Sequence, residues 1–149
     1  MSETGPASYS PSDAELASIL GDARTIAVVG LSSKLHRDSY QIAEFLQRKG
    51  YRVIPVNPNE TQVLGEKAYA SLLDVPEEVE IDVVDVFRRA EDTPSIAEEA
   101  VRRGAKVLWL QEGIVNDIAR RIAEDAGLAV IMGVCIKTTS RRLEGWDQA

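Results

Sequence analysis

The segment Gly30-Leu31-Ser32-Ser33-Lys34-Leu35-His36-Arg37 gathers two hydroxyls and three basic side chains directly after the apolar run Thr25–Val29. Hydroxyls and backbone N–H groups donate to an oxyanion, and Lys and Arg neutralise it, so the chemistry open to this segment is phosphate binding. A helix is expected from about Ser39, with Asp38 as N-cap and Gln41 at N3. A strand, a glycine turn and a helix N-terminus in that order form an anion-binding corner, because the first helical N–H groups lack partners and the dipole favours negative charge. Gly30 tolerates a tight turn and lets the backbone approach an anion closely. The candidate contacts are Gly30, Ser32, Ser33, Lys34 and Arg37. His36 reads as a surface or phosphate-side residue, since no carboxylate–nucleophile set accompanies it for base catalysis.

Three other segments can reach the same ligand. A dinucleotide fingerprint needs three glycines where this loop has one, and an acidic residue where the second strand ends in Val56-Asn57-Pro58. NAD(P) is therefore the weaker expectation. Asn57 can hydrogen-bond a ribose or an adenine, or can simply form a rigid turn with Pro58. Phe87, Arg88 and Arg89 offer a stacking face and guanidinium groups; equally, Phe87 closes the core and the arginines are solvated. Gln111-Glu112-Gly113-Ile114 follows a strand whose Trp109 reads as core. Trp146 lies too near the end to interpret.

These segments have to be positioned by alternating strands and helices. Ser12 and Glu15 have capping-box spacing for a helix over Asp13–Leu20, with Gly21 as its stop. Strands are expected at Thr25–Val29, Arg52–Val56, Ile81–Phe87, Lys106–Leu110 and Leu128–Met132. Between them lie the helix ending at Lys49, a short helix Ala68–Leu73, a helix from the Thr93-Pro94 cap to Arg103, and an Asn116-capped helix to Ala126. This pattern defines an α/β fold, Rossmann-like and three-layered, with a five-stranded parallel sheet flanked by helices. Right-handed crossovers suggest the strand order 3-2-1-4-5. Ligand would then sit where the loops after the first and fourth strands part.

Composition narrows the function classes. A chain of 149 residues with 44% hydrophobic content suits one domain, expected over 12–143 between a flexible N-terminal arm (1–11) and a C-terminal tail (144–149). A net charge of -7 argues against nonspecific nucleic-acid binding. The single cysteine, Cys135, excludes an intramolecular disulfide and a multi-cysteine metal site. No apolar run is long enough to span a membrane, and the N-terminus does not have the form of a signal peptide, so a cytoplasmic location is expected.

Several ordered segments resemble a known family. They are Val28-Val29-Gly30-Leu31-Ser32, the run Gly50 to Pro58, Leu64-Gly65-Glu66-Lys67-Ala68-Tyr69, Asp85-Val86-Phe87-Arg88, the run Leu108 to Gly113, and Cys135-Ile136. The chain is similar to stand-alone coenzyme A-binding proteins and to the N-terminal CoA-binding domain of the succinyl-CoA synthetase α subunit. The resemblance extends from about Ala14 to Leu143. It implies that Gly30, Ser32, Lys34 and Arg37 meet the phosphates. It also implies that Val56, Asn57, Pro58, Phe87 and Arg88 line the nucleotide, and that Gln111, Gly113 and Ile114 border the pantetheine arm. Family members usually carry an Asp-Arg pair before the cysteine, where this chain has Gly133-Val134. Cys135 is either a buried small residue or faces the CoA thiol. With no nucleophile–base pair or metal cluster in view, the expected function is non-catalytic binding of CoA or acyl-CoA, as a carrier, sensor or accessory subunit. The alternatives are the CoA-binding component of a ligase completed by a separate chain and, less favoured, an NAD(P)-binding redox sensor.

Overall fold

A computed structural model describes residues 11–144; the expected arm (apart from Pro11) and the tail beyond Glu144, with Trp146, lie outside the described residues. Helix α1 (Asp13–Asp22) opens with both halves of the capping box: Glu15 N donates to Ser12 Oγ at 3.1 Å, and Ser12 N donates to Glu15 Oε1 at 2.8 Å. Gly21 lies inside the last turn, and the helix stops at Ala23. Strand β1 (Thr25–Val29), helix α2 (Asp38–Arg48) and strand β2 (Arg52–Val56) follow. Then come β5 (Val83–Val86), α3 (Thr93–Arg102), β6 (Val107–Leu110), α4 (Asp117–Asp125), β7 (Ala129–Met132) and α5 (Ile136–Arg142). Asn116 caps α4 as expected, accepting from Ala119 N at 2.9 Å. The other two caps shift by one residue: Arg37 and Asp92 hold the N-cap positions of α2 and α3.

The segment between β2 and β5 departs from the expected short helix. Leu64 and Gly65 both have positive φ (54° and 79°), the geometry of a tight two-residue hairpin turn. They join β3 (Gln62–Val63) to β4 (Glu66–Lys67) as an antiparallel pair, and Tyr69 then bridges to Val56 beside the sheet edge. Only a 3-10 turn, Leu72–Asp74, remains of the expected helix.

The five-stranded parallel sheet is shown, but its order is β2-β1-β5-β6-β7, so the third long strand pairs with the first and not with the second. The expected order 3-2-1-4-5 is corrected to 2-1-3-4-5. Right-handed crossovers permit both arrangements, so handedness alone could not separate them. Pro55 does separate them. It has no N–H to give to a ladder, and such residues belong on sheet edges, where β2 lies. Strand β5 is buried along its whole length, which suits an interior position.

Side chains alternate across this sheet into two apolar layers. Ile26, Val28, Val83, Trp109 and Ile131 pack with Leu16 of α1, Ile42 and Leu46 of α2, and Ile136 of α5. Ala27, Val84, Val86 and Leu108 pack on the opposite side with Ile96 and Ala100 of α3 and Ala119 and Ala123 of α4. The alanines allow α3 and α4 to lie close to the sheet and to each other.

Arg103, just after α3, fixes the irregular chain before β5. Its Nη1 donates to the carbonyls of Leu72 (2.7 Å) and Val75 (2.9 Å), and its Nη2 to those of Pro76 (3.1 Å) and Val79 (3.0 Å). Bonds from a charged donor contribute more than neutral ones, and their carbonyls are partly buried. Arg103→Ala is expected to destabilise the fold by roughly 2–4 kcal/mol, measured as the urea midpoint at unchanged slope.

Candidate functional site

The corrected order moves the switch point. β1 leads to α2 on one face of the sheet, and β5 beside it leads to α3 on the other, so their loops part at the carboxyl edge. Open α/β sheets bind ligands at such a parting. The ladder runs one residue past the strands: Gly30 N donates to Val56 O at 2.8 Å, Phe87 N to Val29 O at 2.8 Å, and Gly133 N to Leu110 O at 2.9 Å. Across this edge stand, in spatial order, Asn57, Gly30, Phe87-Arg88, Gln111 and Gly133-Val134-Cys135.

Gly30 is required by packing. Its φ is +92°, and a Cβ built there would lie 2.6 Å from the carbonyl oxygen of Phe87 and 3.2 Å from Cδ of Arg88. The glycine therefore lets the exits of β1 and β5 touch.

The loop beyond it is already hydrogen-bonded internally. Ser32 N donates to Ser39 Oγ (3.0 Å), Lys34 N to Ser32 Oγ (3.0 Å) and Ser33 N to Glu60 Oε2 (2.8 Å). Glu60 thus puts a carboxylate on a donor expected to meet phosphate, a contact across 27 residues that local spacing does not signal. Lys34, His36 and Arg37 are exposed, and among the described residues none of them forms an ion pair. No side chain caps α2, whose first residue is Asp38.

Asn57 works as a strut. Its Nδ2 donates to Leu31 O at 3.0 Å, its Oδ1 accepts from Asn59 N at 2.9 Å, and its backbone N–H donates to Tyr69 O at 2.8 Å. Val56 is buried (3% exposed), whereas Pro58 is exposed. Phe87 is half-buried against the α2 side of the core, and Arg88 pairs with Asp92 at 3.0 Å. Trp109 is core as expected, its Nε1 donating to Val134 O at 2.9 Å.

A cleft of about 370 Å³ brings together Phe87, Arg88, Gln111, Ile114 and Cys135 from the sequence-derived set, with Asp38 at the start of α2. Gly30, Ser32, Ser33, Lys34 and Arg37 lie outside this lining, on the β1 loop; Gly30 joins them to it through Arg88. Gln111 is nearly buried, and its Oε1 accepts from Ile136 N at 3.1 Å, so it also docks α5. Gly113 has φ +83° in the turn where Ile114 N donates to Gln111 O at 2.9 Å. Gly133 has φ +77° and faces Val115. Cys135 is half-buried and free.

Asp85 was missed as a functional candidate. It is fully buried in β5, and among the described residues its two oxygens are the only buried side-chain polar atoms without a hydrogen-bond partner. Burial pushes its carboxyl well above the usual carboxylate range, and the negative charge of an ionised Cys135 adds to the rise. The sequence signal was an acid in the middle of a strand expected to be apolar on both faces. Among the described residues, no group of three or more His, Cys, Asp or Glu is arranged to hold a metal, and no helix is long and apolar enough to cross a membrane.

A doubly wound parallel sheet with basic, hydroxyl-rich and apolar segments gathered at its switch point defines a ligand-binding α/β protein of the Rossmann-like class. The chain belongs to the CoA binding domain family, whose model matches residues 24–141. It is 44% identical over 127 residues to the uncharacterised protein YneT of Bacillus subtilis, spanning 85% of this chain and 93% of that one. A hypothetical protein from Pyrococcus horikoshii OT3 has the same fold, with a TM-score of 0.89 at 39% identity over 97% of this chain and 100% of its own. The ADP-forming acetate–CoA ligase II of Archaeoglobus fulgidus is 32% identical over 85 residues, which are 56% of this chain and 12% of the ligase.

Two stability outcomes follow from this geometry. Gly30→Ala is expected to cost about 2–3 kcal/mol through φ and contact strain. Thermal unfolding should register this as a fall in Tm of roughly 5–10 °C. Asp85 should act through pH. The unfolded chain releases this proton near pH 4 while the folded chain holds it, so its contribution is full below about pH 4 and lost as pH rises toward the folded value. Asp85→Asn is neutral in both states, so urea titrations should show its stability relative to the parent improving from pH 4 to pH 7, by at most about 1.4 kcal/mol per pH unit.

Proposed function

We propose that this chain binds coenzyme A or an acyl-CoA without catalysing a reaction itself, as a carrier, sensor or accessory subunit. The observation that carries the proposal is the pair Lys34 and Arg37, exposed and without ion pairs among the described residues, beside a partly apolar cleft in a member of the CoA binding domain family. CoA combines a pyrophosphate and a 3′-phosphate with a long, largely neutral arm ending in a thiol. Under this proposal Gly30, Ser32, Ser33, Lys34 and Arg37 receive phosphate. Val56, Asn57, Pro58, Phe87 and Arg88 frame the nucleotide, while Gln111, Gly113, Ile114 and Cys135 border the arm. With a single cysteine the chain cannot close an internal disulfide, which suits a reducing compartment such as the cytoplasm.

A second reading is a ligase component completed by another chain. It is favoured by the Archaeoglobus ligase, in which the matching segment is 12% of the length and the remainder is additional protein. A pull-down that returns a ligase-like subunit supports this reading, and one that returns none counts against it.

Titration calorimetry with CoA should give binding that weakens as salt rises, because exposed charges are screened. Lys34→Ala and Arg37→Ala should each weaken it roughly three- to tenfold, about 0.7–1.4 kcal/mol. Glu60→Gln removes a charge that competes with phosphate and should tighten it a few-fold. NAD at equal concentration should give no heat. Absence of CoA binding at millimolar ligand would overturn the proposal.

A further inference from the structure

A groove of about 710 Å³ runs between α2 and α5, away from the ligand cleft. Leu35, Tyr40 and Phe45 line one side of it, and Lys137, Arg141 and Glu144 line the other. Two contacts cross it: Lys137 Nζ lies 5.5 Å from the centroid of the Phe45 ring, and Lys49 Nζ pairs with Glu144 at 3.3 Å. Glu144 follows the last turn of α5, so it stands at the end of the groove opposite Asp38 and Cys135, which line the ligand cleft.

The charges of the groove do not balance. Glu44 is taken by Arg48 at 3.4 Å and Glu144 by Lys49. Lys137 and Arg141, one turn apart on α5, form no ion pair among the described residues. In a chain of net charge -7, two unneutralised cations beside half-buried aromatic rings fit a segment that is both aromatic and acidic.

The chain carries such a segment next to the groove. Beyond Glu144 its sequence continues Gly145-Trp146-Asp147, outside the described residues. Two extended residues span about 7 Å. Along a helix axis, Arg141 and Lys137 stand about 4.5 and 10.5 Å back from position 144. A segment reversing at Gly145, where no Cβ hinders a turn, therefore reaches the level of these two cations.

We propose that the groove between α2 and α5 is the seat of the chain's own segment Gly145–Asp147. The Trp146 indole packs against Phe45 and the Arg141 guanidinium, and the Asp147 carboxylate meets Lys137 and Arg141. Seated there, the segment straps α2 to α5 at the end opposite the ligand cleft. Cation–π contacts and ion pairs at open sites are each modest, so salt or a competing acidic segment releases the strap. The seat is independent of whether CoA binds.

Trp109 is fully buried, so acrylamide quenching of the full chain's fluorescence, less that of Trp146→Phe, reads Trp146. Trp146 is expected to be quenched well below N-acetyltryptophanamide, and more freely as salt rises. Lys137→Glu with Arg141→Glu should weaken the seating at least about tenfold. Adding Asp147→Lys to that pair should restore the shielding by reversing both charges together. Asp147→Lys alone, which alters no described residue, should also free Trp146, so the test stands even where the double variant fails to fold. A Trp146 in the parent as open as the free amide would overturn the proposal, and so would shielding that Asp147→Lys leaves unchanged. Shielding lost on dilution, with a dimer in sedimentation, would place Trp146 in a second copy's groove and overturn it as well.

Discussion

The parallel ladder between β1 and β5 sets the geometry of the whole carboxyl edge. Because Val29 is level with Val86, the two strands end together, and their following residues must pass each other at backbone distance. Only a residue without a Cβ can stand at position 30, where the Phe87 carbonyl already occupies that space. From this contact the loops separate to opposite faces, one into α2 and the other into α3, and the cleft opens beyond them. Glycine is needed at this corner whether or not a phosphate is bound, so its presence alone could not reveal a ligand.

Much of the fold was legible because its signals are local. The Ser12–Glu15 box and the Asn116 cap are spacings within one helical turn, and both form as read. Strand order is a long-range property that periodicity does not encode. The one local clue was Pro55, which bars β2 from an interior place. Helix α5 escaped notice because Lys137-Thr138-Thr139-Ser140 has weak helical propensity and Cys135 supplies no side-chain cap. Tertiary packing overrides that propensity: Ile136 is fully buried, and its N–H is held by Gln111. The hairpin strands are two residues each, too short for any period to register.

The candidate site was legible by residue type more than by arrangement. Lys34 and Arg37 stand exposed on the β1 loop, and Phe87, Gln111, Ile114 and Cys135 converge on one cleft. Hidden from the sequence were the partners these groups take. Asn57 braces the neighbouring loop, and Arg88 is tied to Asp92. Asp85 is buried in β5 by a strand pairing that the expected order did not contain. Acidic and basic groups both line the cleft, so the local field is set by neighbours and not by the chain's overall negative charge.

Glu60 gives the β1 loop a property that a list of donors would miss. Its carboxylate is attached to the same chain, on the segment that follows Asn57, and rests on the Ser33 N–H. An anion arriving at that donor replaces a tethered rival and does not fill a bare position. A tethered group has an effective concentration that dilution cannot lower, commonly in the millimolar range. It stands ready to reoccupy the N–H whenever an arriving anion loosens. If the loop receives phosphate as proposed, this contact favours turnover of the anion over permanent retention, and each exchange would also release or recapture the segment that carries Glu60.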